Sequence, residues 1–166
     1  MARRLLPTIL AGFAAAAPLP AQQPAPPPPA MLTAALAEAV VDGCRKHAAA
    51  KRQSHAIAVV DGGGHLVAAL RMDGNRAGIM DFAFEKAKAV AAWGFSTAQM
   101  EEAAKGTPGF ARAPGVVTVA GGVPVYSADG RTLIGAAGTS GEAPADDAAC
   151  AEAGIKAAGL RSQRAR

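Results

Sequence analysis

Aromatic side chains are scarce in this chain: five Phe, one Trp and one Tyr in 166 residues. A surface that binds nucleic acid by stacking bases on several exposed rings is not built from so few. The core must therefore come from Ala, Val, Leu and Ile. Charge is also thin, 18% against 51% hydrophobic residues, which suits a packed body and excludes global disorder. The formal net charge of +4 is misleading, because Arg3, Arg4, Arg161, Arg164 and Arg166 all lie near the chain ends. Without those five, twelve Lys/Arg face thirteen Asp/Glu. The body is nearly neutral and carries no electrostatic footprint for nucleic acid. Long hydrophobic runs are missing too. The stretch Leu5 to Ala17 is too short to span a membrane, and no second run follows, so no transmembrane segment is expected. The length leaves room for one domain.

That apolar stretch follows the cationic pair Arg3-Arg4 and precedes Leu19-Pro20-Ala21, the layout of a secretory signal peptide over residues 1–21. The adjacent arginines alone do not distinguish a twin-arginine route from the general one. Seven of the twelve prolines fall between Pro18 and Pro29, so residues 22–30 read as a stiff proline-rich linker. The expected location is periplasmic or secreted. In an oxidising compartment the only two cysteines, Cys44 and Cys150, either pair as a disulfide or serve as small buried hydrophobes. Neither has the spacing of a zinc ligand or the context of a catalytic thiol.

The body, residues 31–160, reads as helix, two strands, two helices, three strands, helix, with a basic tail at 161–166. Met31 to Lys51 has helical apolar spacing. His55 to Asp61 and His65 to Arg71 are strands joined by Gly62-Gly63-Gly64, a tight hairpin connector. If Asp61 pairs with His65, Ile57, Val59, Val67 and Ala69 share one face. Gly78 to Trp93 and a short segment from Ser96 to Gly106 are helices, with an irregular loop at Phe110 to Pro114. Gly115 to Ala120, Val123 to Ser127 and Thr132 to Gly138 read as three more strands. Pro144, Asp146 and Asp147 open the last helix. Hairpin-linked strands framed by helices imply an antiparallel sheet sandwiched between them. Phe82, Phe84, Trp93, Phe95 and Phe110 crowd one stretch, more than one helical stripe covers, which points to a homo-oligomeric contact over Gly78–Phe110.

AVVDGGGHLVAALRMDG (Ala58–Gly74), EKAKA (Glu85–Ala89), GVVTVAGGVPV (Gly115–Val125) and LIGAAGTSG (Leu133–Gly141), followed by Asp147 and AEAG (Ala151–Gly154), resemble the GlcG/HbpS family. That family is also called the haem-degrading or PduO C-terminal-like domain. The resemblance covers about residues 31–160 and lies in the order and spacing of these strings. It implies an α+β, profilin-like α-β-α sandwich with a five-stranded antiparallel sheet. The first and last helices share one face, which favours the Cys44–Cys150 pairing. It also implies a homo-oligomer that binds haem. The adenosyltransferase domain that accompanies this module in some proteins is absent, and its chemistry is not carried over.

Haem needs an apolar slot, an axial donor and cations for its propionates. His65, just after the three glycines, is the candidate metal ligand, or else an exposed turn histidine held by Asp61. His55 begins a strand and His47 lies near a helix end. Met72 is a thioether donor or a core residue. Arg71 either binds an anion or pairs with Asp73. Lys86, among Phe82, Ala83 and Val90, either snorkels to water or faces a pocket. Gly121 and Gly122 either bring backbone amides to a ligand or form a turn, and Thr139-Ser140-Gly141 is an anion cradle or a helix cap. No catalytic constellation emerges: P-loop, Rossmann fingerprint and nucleophile motif are missing, and adjacent Asp146 and Asp147 diverge on a helix. Three functions remain: haem sequestration, sensing or scavenging; an enzyme of haem or small-molecule turnover; and a cofactor-free accessory module.

Overall fold

The computed structural model describes residues 30–166; the signal-like segment 1–21 and residues 22–29 of the linker lie outside them. Four helices, one 3-10 turn and four strands follow in the order α1 (Ala34–Lys51), β1 (Ala56–Asp61), β2 (Leu66–Arg71), α2 (Ala77–Trp93), α3 (Thr97–Gly106), the 3-10 turn Phe110–Arg112, β3 (Gly122–Tyr126), β4 (Leu133–Ser140) and α4 (Pro144–Ala157). Helix starts obey local chemistry. The Thr33 side chain accepts from the Leu36 amide ahead of α1, and Ser96 with Gln99 forms a reciprocal capping box at α3. Pro144 opens α4, followed by Asp146 and Asp147 in its first turn.

The sheet is antiparallel with strand order β2-β1-β4-β3. Alternation along β1 divides it between two layers. Val59 packs with Ala37 and Val40 of α1 and Ala151 and Ile155 of α4, and Ile57 packs with Cys44 and Cys150. Ala56, Ala58 and Val60 face Ala83, Ala87 and Val90 of α2. β1 is thus covered on both faces, as a near-continuous apolar run requires. The α1 and α4 helices cross closely because Gly154 has no side chain: a Cβ there would stand 2.3 Å from the Val40 carbonyl. Beside this crossing Cys44 and Cys150 form a disulfide, sulfurs 2.02 Å and Cα atoms 4.8 Å apart.

Two expectations are corrected. First, Gly115–Ala120 forms no strand among the described residues, leaving four strands where five were expected. The outer edge of β3 explains this. The Gly122 amide donates to Thr97 Oγ1, the Tyr126 amide donates to the Arg161 carbonyl, and Pro124 between them has no donor. A fifth strand finds no free amide donor at these three positions of the edge. Second, a bulge between Val59 and Val60 shifts the hairpin register by one residue. Val60 still opposes Leu66, but Val59 opposes Ala68 and Ile57 opposes Leu70, so Leu70 joins the disulfide face in place of Ala69. Within the aromatic stretch Phe82 and Trp93 stay exposed, while three of its rings contact one another. Phe95 stacks on Phe110, and Trp93 meets both edge-on.

Candidate functional site

Four elements converge at the end of the sheet where β1 starts and β4 ends. Lys86 in mid-α2 points into this junction and is 1% exposed. Its Nζ donates to Asp147 Oδ2 and to the Thr139 carbonyl, both at 3.0 Å, and lies 4.8 Å from the centroid of the Phe82 ring. Asp147, in the first turn of α4, uses its other oxygen for the Glu142 amide at 3.2 Å and for His55 Nδ1 at 3.0 Å. A carboxylate oxygen only accepts, so the His55 proton on this side resides on Nδ1. His55 Nε2 is buried without a partner. The Thr139 hydroxyl donates to the Asp147 carbonyl, tying the end of β4 to α4.

Burial pushes the Lys86 ammonium below the ordinary lysine value of 10.5, and the hydrogen bond and charge of Asp147 oppose that shift. Space for the ammonium comes from Gly121. Its φ of +129° disfavours any L side chain, and a Cβ there would stand 2.7 Å from Lys86 Nζ and 2.5 Å from the Thr139 carbonyl. At Gly122 a Cβ would meet the Lys86 carbonyl and the Thr97 methyl, each at 2.7 Å. Lys86, Gly121 and Gly122 are therefore brought together, with the ammonium spent on protein acceptors.

His65 stands at the other end of β1, roughly 17 Å away along five strand residues. Its side chain is 83% exposed. Asp61 Oδ1 receives the amides of Gly63 and His65 at 2.9 Å each and lies 3.3 Å from His65 Nδ1. The His65 amide above all, then that of Gly63, holds the Asp61 carboxyl below its usual 3.8. The imidazole stands within ion-pair distance of Asp61 and is open to solvent. The same turn borders a shallow hollow of about 170 Å³ with Lys88, Ala91 and Ala92. Arg71 is at the far end of β2, opposite Ala56, and donates to the Asn75 carbonyl; it forms no ion pair with Asp73. Met72 is half-buried, and its sulfur receives the His55 amide at 3.5 Å. Among the described residues no cluster of three His, Cys, Asp or Glu has metal-site geometry.

Sequence reasoning passed over His55 as an edge filler and treated Asp147 as a helix-start charge. The available signals were a histidine directly before a fully apolar strand and a lysine amid apolar helix neighbours needing a counter-charge. Which of Asp146 and Asp147 turns inward is settled by how α4 docks.

A three-layer α+β domain with one sealed ionic cluster and one open carboxylate–histidine turn is the class of protein these features define. The sequence model described as haem degrading protein HbpS-like matches residues 32–156, and the chain belongs to that family. It is similar in structure to a double mutant of HbpS from Streptomyces reticuli, with a TM-score of 0.71 and 26% identity over 86% of this chain and 97% of the other. PduOC, solved in complex with haem, gives a TM-score of 0.73 at 22% identity, covering 81% of this chain and all of that one. A further HbpS structure gives 0.70 at 23% identity, over 83% and 97%. The last two establish the fold alone. No curated protein sequence matches the chain.

Proposed function

We propose that this protein binds haem, as an exported homo-oligomer, with His65 as the axial donor to iron. The observation that carries the reading is membership of the HbpS-like family over residues 32–156. His65 supports it as an exposed imidazole whose Nδ1 lies 3.3 Å from the Asp61 carboxylate. Lys88 lines the same hollow, its Cγ 4.0 Å from the Cβ position of Gly64 and its ammonium paired with Glu85 at 2.8 Å. Lys86 is not a propionate partner in this reading, because its ammonium is sealed against Asp147 and Thr139. Arg71 sits at the opposite end of β2 and reaches a haem at His65 only from a second subunit.

The donor fits, but one chain does not enclose the ring. The hollow beside the turn is far below the 300–1,000 Å³ typical of cofactor pockets. The cavities of about 600 and 510 Å³ have no His, Met or Cys in their walls. A second copy over the turn supplies the missing apolar roof, which is why the reading includes oligomerisation. Bound there, haem supplies a redox-active iron; the chain's part is to present Nε2 and limit access to it. The disulfide supports export, since such a bond persists in oxidising compartments.

Haemin titration of the purified protein tests this reading: a saturable Soret shift is expected. Its absence at micromolar haemin overturns haem binding. Sequestration, sensing or scavenging follows if the Soret band persists. The family's description as haem degrading favours a second reading, turnover. That reading requires the band to decay with reductant and oxygen and a product to be released.

A further inference from the structure

The two edges of the sheet differ. On β3 the Gly122 and Tyr126 amides are spent and Pro124 has none. β2, at the opposite end of the order β2-β1-β4-β3, is paired on one side only among the described residues. Edge strands are commonly blunted by charge, by proline or by a covering segment. From Leu66 to Leu70 β2 carries neither charge nor proline, and Leu66 is 52% exposed. The ladder fixes where its free groups point. The Met72 amide donates to the His55 carbonyl at 3.0 Å, so the backbone of Met72 turns toward β1. Antiparallel pairs alternate. Leu70 and Ala68 therefore also turn toward β1, opposite Ile57 and Val59, while Ala69 and Arg71 present amide and carbonyl to the open edge. The bulge between Val59 and Val60 lies beyond Ala68, so the stretch Ala68 to Arg71 is regular.

This edge is complementary to itself. A second β2, antiparallel about a two-fold axis through Ala69, sets Ala69 against Ala69 and Arg71 against Val67. Ala69 is small and exposed, so it does not block the approach. Charge fits the same register: the cationic end of one strand, Arg71, meets the end of the other that carries His65 and the exposed carboxylate of Asp61. Arg71 donates to the Asn75 carbonyl and has no ion pair among the described residues, so its guanidinium keeps donors for a second acceptor. Val67 is two residues, ~6.6 Å, from His65, within reach of an arginine side chain. We propose that β2 pairs antiparallel with β2 of a second copy, centred on Ala69, and that Arg71 of each copy holds a carboxylate of the ligand bound at the other copy's His65. The identity of that carboxylate, a propionate, rests on the haem reading; the pairing does not.

Light scattering compares the parent with Ala69→Lys, which sets like charges opposite each other at the axis and leaves the β1–β2 ladder intact. The parent's mass should halve. Ala69→Cys is the second variant. With Cys44 and Cys150 already joined, mild oxidation should give a covalent dimer, because the paired Cα atoms stand about 5.5 Å apart, within disulfide range. A parent of monomer mass, an unchanged mass in Ala69→Lys, or no cross-link in Ala69→Cys overturns the pairing. Haemin titration then tests Arg71. Arg71→Gln and His65→Ala should each weaken binding at least about tenfold, as loss of one charge-assisted contact or of the donor requires. Co-expressed, the two variants should regain the parent's midpoint in mixed dimers, where His65 of one copy meets Arg71 of the other. Failure to regain it overturns the role of Arg71. A parent without a Soret shift defeats the haem reading and the role of Arg71 with it, while the masses and the cross-link still decide the pairing.

Discussion

The two ends of β1 hold similar chemical groups in opposite states. At one end His55, Asp147 and Lys86 meet in the interior, with only His55 Nε2 lacking a partner among their side-chain polar atoms. At the other, Asp61 and His65 stand at a looser 3.3 Å in water. A buried ion pair is weak evidence of net stabilisation, but removing one member strands a charge. An exposed pair contributes little to folding and leaves a ring nitrogen accessible. The difference suits the sealed end to joining α2, α4, β3 and β4, and leaves the open end accessible, as the haem role proposed for His65 requires.

Breaking the sealed end should have the largest effect. Asp147→Ala leaves the Lys86 ammonium unpaired under Phe82 and should cost about 3–5 kcal/mol in urea unfolding. A loss below about 1 kcal/mol would mean water reaches the cluster. Replacing Cys44 and Cys150 together by Ser should cost about 2–4 kcal/mol, because the bridge closes a long loop across α1 and α4. Mass measurement before reduction should show the parent lighter by two hydrogens. Gly121→Ala should cost about 2–3 kcal/mol, since the new methyl meets Lys86 Nζ and the Thr139 carbonyl. A neutral outcome would imply that α2 can shift away.

The pH dependence of the two ends should have the same sign but fall in different windows. The depressed Lys86 value means the unfolded chain binds more protons between that value and 10.5, so this group makes stability rise with pH across that window. Lys86→Met should abolish the rise. The depressed Asp61 value contributes stability present above 3.8 and lost as pH falls through the folded value. NMR titration of its carboxyl should place the midpoint below 3.8. Asp61→Asn should have the smallest effect on folding, within about 0.5 kcal/mol. It should nevertheless weaken haem binding by freeing the imidazole to rotate.

The contrast also explains what the sequence disclosed. Asp61 and His65 are four residues apart on one turn, so their contact was readable from the hairpin alone. Lys86 stood out as a cation among apolar neighbours, but Asp147 is 61 residues away and required the docked α4. Helical periods located α1, α2 and α4 within a few residues, because each buries one stripe against the sheet. Gly115–Ala120 has the composition of a strand. Its failure to pair depends on Thr97 and Arg161, which close the β3 edge from remote parts of the chain. The β1–β2 bulge left no signature, since Val67 and Ala68 suit either face.

The account stands most directly on one paired measurement, haemin titration and urea unfolding of His65→Ala beside the parent. The prediction is unfolding stability within about 0.5 kcal/mol of the parent, together with loss of the parent's saturable Soret shift. A Soret shift of unchanged midpoint in His65→Ala, with the same stability, would contradict the assignment of ligand chemistry to the open end.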